Sequence, residues 1–308
     1  MNIGQTIAHF RITGKPAGTG TDGVYRAEDT RAHRTVALRI LAARAGCDAD
    51  LRDRLLADAR IASALDHPNI CFLHDIRETD DGLVLVLPWY DGESLRTKIA
   101  RGPMRVEAAI SIARQLAEGL ASAHAAGIFH RGLSPGSLHV TADGIVKIMD
   151  FGVAELFRES ADAAFPAGLG YLAPEQLRGR EVDVRTDIWA FGVIVFEMLT
   201  GRLPFEGHTP AMVRHAILKE KPADLAGLRS DLPGSLASLY LNCLSKNPSG
   251  RPQSMEDVMS LLGHWPFDLA AITGSDPSRF RGRHIALMVA IFVLIAGGLV
   301  FLLRGCPT

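Results

Sequence analysis

Residues 128–152 read IFHRGLSPGSLHVTADGIVKIMDFG. Two short apolar pieces, Leu138–Val140 and Val146–Ile148, flank the turn TADG and read as strands. The segment before them is polar but carries no acid: from His130 to Thr141 there is neither Asp nor Glu. The next carboxylates are Asp143, inside the turn, and Asp150, which opens Asp-Phe-Gly.

Upstream, residues 106–126 repeat apolar positions at helical spacing, with Ile110, Ala113, Leu116, Leu120 and His124 on one side. Downstream, DIWAFGVIVFEMLTG (Asp187–Gly201) is apolar on most faces and reads as a buried helix. Further helical stretches cover roughly 209–219, 235–245 and 254–262. The first 90 residues differ. GVYRAED and TVALRIL read as strands separated by TRAH, and CFLHDIRETDDGLVLVLPWY reads as two strands around Asp-Asp-Gly. Leu51, Leu55, Ala59, Ala62 and Leu65 mark one helix over 48–65, stopped by Pro68. The pattern is a small strand-rich unit followed by a larger helical one.

The formal net charge of -1 gives no bulk attraction to nucleic acid, and no nucleic-acid partner is expected. Cys47, Cys71, Cys243 and Cys306 have neither zinc spacing nor a disulfide framework. The N-terminal MNIGQTIAHFRITG is not read as a signal peptide, because no basic stretch leads into an apolar run. Ile285–Leu303, by contrast, runs 19 residues without a charge. At about 1.5 Å per residue it nearly spans a hydrocarbon core of about 30 Å. Arg279, Arg281 and Arg283 precede it and Arg304 alone follows, which predicts a cytoplasmic N-terminal part.

Taken in order, VYRAED, VALR, HPNI, DGESL, HRGLSP, KIMDFG, GYLAPEQL, TDIWAFGVIVFEMLTGRLPF and NPSGRP resemble the serine/threonine protein kinase family, especially its bacterial membrane-anchored members. The resemblance runs from about Ile12 to Leu262. It implies an α+β, two-lobed kinase-like fold over residues 10–264, with an N-lobe over about 10–90 and a C-lobe over about 91–264. Residues 265–284 would be a juxtamembrane linker, 285–303 a transmembrane helix and 304–308 a short tail. The implied ligands are ATP and Mg2+, and the implied partner is a cytoplasmic protein, with the lipid bilayer met through 285–303.

The resemblance also assigns positions, and several carry altered chemistry. The position of the proton-accepting base is Gly132 and the phosphate-facing lysine position is Ser134. Asp150 is the possible metal ligand, and Ser137, a weak oxygen donor, stands at the second metal position. Nucleotide-binding candidates are Gly18, Gly20, Gly23, Arg39, Leu87 and Trp89. Arg39 replaces the phosphate-pairing lysine, a planar fork for a point charge. It can pair with Asp58, the matching helix acid, or bind phosphate. Pro88 stands at the hinge start, where it has no N–H to donate. His130, Arg131, Glu175, Asp187 and Arg251 read as architectural, Glu175 pairing with Arg251 and Asp187 bracing the loop backbone. The combination predicts a membrane-anchored pseudokinase, a regulatory binding module with weak or no ATP binding. The alternative is an active atypical serine/threonine kinase.

Overall fold

The computed structural model describes residues 2–14, 24–42, 64–79, 82–151, 168–232 and 234–263, together with Asp53, Ala57, Arg60, Ile61 and Ile272. The strand-rich lobe is an antiparallel sheet: β1 (Thr6–Ile7), β2 (Phe10–Gly14), β3 (Val24–Asp29), β4 (Arg34–Ala42), β5 (Asp75–Thr79) and β6 (Gly82–Pro88), ordered β1-β2-β3-β4-β6-β5. Side chains alternate faces along β4. Val36 and Leu38 join Ile12, Val84 and Val86 in the lobe's own core. Ala37 faces the other way, with Leu87 and Cys71, and Arg39 shares its parity. Strand alternation therefore delivers Arg39 to the interlobe face. Asp53, Ala57, Arg60 and Ile61 are helical.

The chain leaves β6 through Trp89 and Tyr90 into β7 (Gly92–Ser94), which pairs with β8 (Leu138–Thr141), itself paired with β9 (Val146–Ile148). A Cβ at Gly92, whose φ is +146°, would sit 2.2 Å from the Val140 carbonyl oxygen, so only glycine lets this crossing close. The remaining C-lobe is helical: α1 (Leu95–Ile99), α2 (Val106–Ala125), α3 (Pro174–Leu177), α4 (Val184–Thr200), α5 (Pro210–Lys219), α6 (Leu225–Leu228), α7 (Gly234–Cys243) and α8 (Met255–Leu262).

The helix α4 is the axis of this lobe. Asp183 caps it by accepting from the Arg185 N–H, and Gly201, at φ +73°, ends it. Trp189 stacks on Phe205 at 5.5 Å and Phe196 on Tyr240 at 5.1 Å. Each such side chain, fully buried, contributes about 1.5–3 kcal/mol. Cys71 and Cys243 are free and buried, and burial pushes both thiols up to about 12.

Within the stretch expected to be a linker, Ile272 is only 4% exposed and joins the C-lobe core. Lys98 of α1 donates to its carbonyl at 3.3 Å. Among the described residues no helix is long and apolar enough to cross a membrane. Ile285–Leu303 lies outside the described residues.

Candidate functional site between the lobes

The loop at 128–137 is held by one buried carboxylate. Asp187, on the first turn of α4, accepts from the His130 N–H at 2.8 Å and the Arg131 N–H at 2.9 Å. His124, at the end of α2, donates to the same carboxylate from Nε2 at 2.8 Å. Burial pushes the Asp187 carboxyl up, yet the bonds from His124 and His130 outweigh it and hold the group below the usual range. Nε2 of His130 lies 2.9 Å from the Met149 carbonyl, while Nδ1 faces the Gly132 N–H at 3.4 Å. An imidazole carrying its proton on Nε2 satisfies both. The ring fastens the loop to the residue before Asp150. Gln176 donates to the Arg131 carbonyl at 2.6 Å.

Two backbone positions next to this frame are left-handed: Arg131 at φ +62° and Asp150 at +67°. Non-glycine residues there cost of order 1–3 kcal/mol and persist where surroundings over-determine them. Here the Asp187, Gln176 and His130 bonds do so around Arg131.

Gly132 brings no side chain to the loop, and the Asp143 carboxylate is engaged elsewhere. Thr141 Oγ1 donates to Asp143 at 2.5 Å, tying that carboxylate into the β8–β9 turn. Ser134 and Ser137 bond each other. The Ser134 N–H donates to Ser137 Oγ at 3.1 Å, and Ser137 Oγ donates to the Ser134 carbonyl at 2.9 Å. The Ser137 hydroxyl therefore closes its own turn.

Above the loop, Leu87 is buried beside Ala37 and Cys71, flanked by Val24, Leu73, Trp89, Tyr90 and Met149. These side chains form an apolar floor on the face of β4 opposite the lobe's own core. Trp89 turns sideways, its Nε1 donating to Asp91 at 3.0 Å and Arg26 lying 5.2 Å over its ring. Pro88 is the last residue of β6, opposite Val36, a strand-end position where proline is tolerated.

Arg39 reaches from this face to Asp150. Nη1 and Oδ2 are 2.7 Å apart, with the two side chains 12% and 4% exposed. Asp58 lies outside the described residues, as do Gly18, Gly20 and Gly23. A resident Mg2+ needs about six oxygen ligands at about 2.0–2.1 Å. The protein's share of that set does not fit here: Asp150 already faces a guanidinium, and the Ser137 hydroxyl is turned into its own turn. Among the described residues no cluster of three His, Cys, Asp or Glu groups could hold a metal ion.

The platform below is complete in its bonding. Arg251 grips Glu175 with Nη1 to Oε1 at 2.7 Å and Nη2 to Oε2 at 2.8 Å, and Thr186 adds a bond to Oε1 at 3.0 Å. Burial pushes the Glu175 carboxyl up, but Arg251 prevails and holds it below its usual range. Tyr171 donates to Glu197 at 2.6 Å. Sequence reading missed Glu197, His124, Gln176 and Arg96. The Arg96 guanidinium lies against the loop, so that a Cβ at Gly136 would be 3.1 Å from its Nη2. No motif spacing marks these residues; only the packing of α1, α2 and α4 brings them to the site.

A family model described as the protein kinase domain matches residues 12–264. Serine/threonine-protein kinase pkn2 of Myxococcus xanthus is 35% identical over 276 residues, covering 86% of this chain and 33% of that protein. Serine/threonine-protein kinase PrkC of Bacillus subtilis is 33% identical over 263 residues, covering 84% and 41%. PknB of Mycobacterium tuberculosis is 33% identical over 253 residues, covering 79% and 40%. The chain thus spans between 33% and 41% of the length of these relatives. The PknI kinase domain of Mycobacterium tuberculosis is similar in fold, with a TM-score of 0.69 at 24% identity over 86% of this chain and 100% of that one.

Proposed function

From the premise that this chain belongs to the protein kinase domain family, we propose that it is a membrane-anchored signalling module that engages a protein partner and has lost most phosphoryl transfer. The observation that carries this reading is the loop at 130–141. It keeps its bracing by Asp187 and holds no carboxylate of its own, while the next acid along the chain, Asp143, is tied into a turn. A positioned base contributes about 10²–10⁴ in rate. The missing charge at Ser134 compounds that loss, because positioning and electrostatics do the rest of the work. ATP would be held weakly, on the floor around Leu87 and Ala37.

A second reading is an active, atypical serine/threonine kinase. Two observations favour it. The relatives named above are serine/threonine-protein kinases, and the platform built on Asp187, Glu175 and Arg251 is fully bonded. At the level of family the comparisons weigh toward this reading; the chemistry of the loop weighs toward the first.

The full chain, purified and incubated with labelled ATP and Mg2+, distinguishes them. The expected outcome is no phosphosite that depends on the protein's own cleft. Asp150→Ala serves as control, since labelling by a contaminating kinase survives it. A phosphosite mapped by mass spectrometry with wild type and absent with Asp150→Ala would establish the second reading.

A further inference from the structure

We infer that Arg39 is the cleft's resident cation: it occupies Asp150, so that nucleoside phosphates are received without a divalent ion. This inference deepens the reading of the cleft as a nucleotide site and rests on it.

On β4, Ala37 faces the cleft and residue 39 must follow it two positions on. Whatever cation stands at position 39 is therefore aimed at the segment after β9. Among the described residues of that segment the carboxylate is Asp150, at a left-handed backbone position next to Met149. Met149 is pinned on both sides: its N–H donates to the Ser137 carbonyl at 2.9 Å and its carbonyl faces His130. The backbone that carries this carboxylate is thereby held in place.

The Arg39–Asp150 contact is 2.7 Å and nearly buried, so it is screened far less than a surface pair. A divalent ion would have to displace a guanidinium already in place. Arginine does not release its charge by deprotonation at any working pH. Loss of one partner of such a pair leaves an uncompensated buried charge, which is strongly unfavourable. The second potential oxygen donor, Ser137, is turned away into its own turn. Both features oppose metal uptake, and they arise from different elements.

Two measurements on the full chain in detergent test this. In the first, melting is followed with and without MnCl2 and without nucleotide. Wild type should not shift. Arg39→Gln should gain several degrees from manganese, because the guanidinium that faces Asp150 is then gone, and Arg39→Gln with Asp150→Asn should lose that gain. A manganese-dependent rise in wild type that Asp150→Asn abolishes would overturn the inference, as would a folded Arg39→Gln that ignores manganese. If Arg39→Gln does not melt cooperatively, bound Mn2+ counted by electron paramagnetic resonance decides. Equal counts for wild type and Asp150→Asn support the inference, and an excess in wild type overturns it.

In the second measurement, ADP binding is compared in EDTA and in MgCl2 by calorimetry. Affinities within about twofold support the inference, and binding about tenfold tighter in MgCl2 overturns it. No ADP uptake in either condition, with manganese behaving as expected, would sink the nucleotide reading and leave the Arg39 assignment standing.

Discussion

On the reading proposed above, Gly132 stands where acid–base chemistry would use a carboxylate, and adding one does not rebuild the site alone. Gly132→Asp with Ser134→Lys restores two charges to a loop whose frame is intact. Arg39 still holds Asp150, and Ser137 still closes its turn. Groups that act as a unit are not additive. The double variant should therefore raise phosphoryl transfer by less than about tenfold, while adding Arg39→Lys and Ser137→Asn should bring the gain toward about 10²-fold, measured by initial rates. Two glycines set the scale for backbone effects. A Cβ at Gly92 meets a carbonyl oxygen at 2.2 Å, whereas at Gly127, with φ +75°, it meets nothing within 4 Å. Gly127→Ala should cost about 1–2 kcal/mol of left-handed strain. Gly92→Ala must also shift β7 against β8, so chemical denaturation should show at least a further ~1–3 kcal/mol.

At the scale of elements, α4 is both core and brace. Its apolar surface seats the C-lobe while Asp187 on its first turn holds two loop N–H groups. Asp187→Asn keeps the volume but leaves those donors facing an amide, and removing one partner of a buried charged network costs about 3–5 kcal/mol. The folded-state pKa is depressed, chiefly by His124 and His130 against the pull of burial. Stability from this group is thus present above the ordinary carboxyl range near pH ~4 and lost as pH falls through the folded value. The acid limb of a stability–pH curve should be shallower in Asp187→Asn than in wild type. Much of this element scale was legible beforehand. The stretch 187–201 announced a buried helix, and α4 is Val184–Thr200; the expected 209–219 stretch is α5 at Pro210–Lys219. The short elements β1, β7, α1, α3 and α6 were not read, because two to five residues carry no measurable period. The Arg39–Asp150 contact was equally hidden. Position 39 could be assigned a charge from sequence, but its partner depends on how β4 meets the segment after β9.

At the scale of the molecule, the chain beyond α8 is tied back onto the domain before it leads toward the apolar stretch. Ile272 is buried in the C-lobe core and its carbonyl accepts from Lys98 on α1. Ile272→Asp should destabilise the domain by about 2–5 kcal/mol, as a large apolar side chain is lost and a carboxylate stranded, and thermal melts would register it. This contact has a consequence for any anchor. From Ile272 to Ile285 the chain has 13 steps, so at no more than about 3.6 Å each the α1 side of the domain lies within about 47 Å of the first residue of the apolar run. With Ile285–Leu303 in the bilayer and the arginines on its inner side, the domain should stay close to the inner leaflet and not trail on a long tether. Carbonate-washed membranes should retain the full chain, and a chain ending at residue 284 should be recovered in the supernatant. Protease added outside intact cells should leave the kinase-like domain uncut. Recovery of the full chain as a soluble protein would remove the anchor, and cleavage of the domain from outside would reverse the orientation.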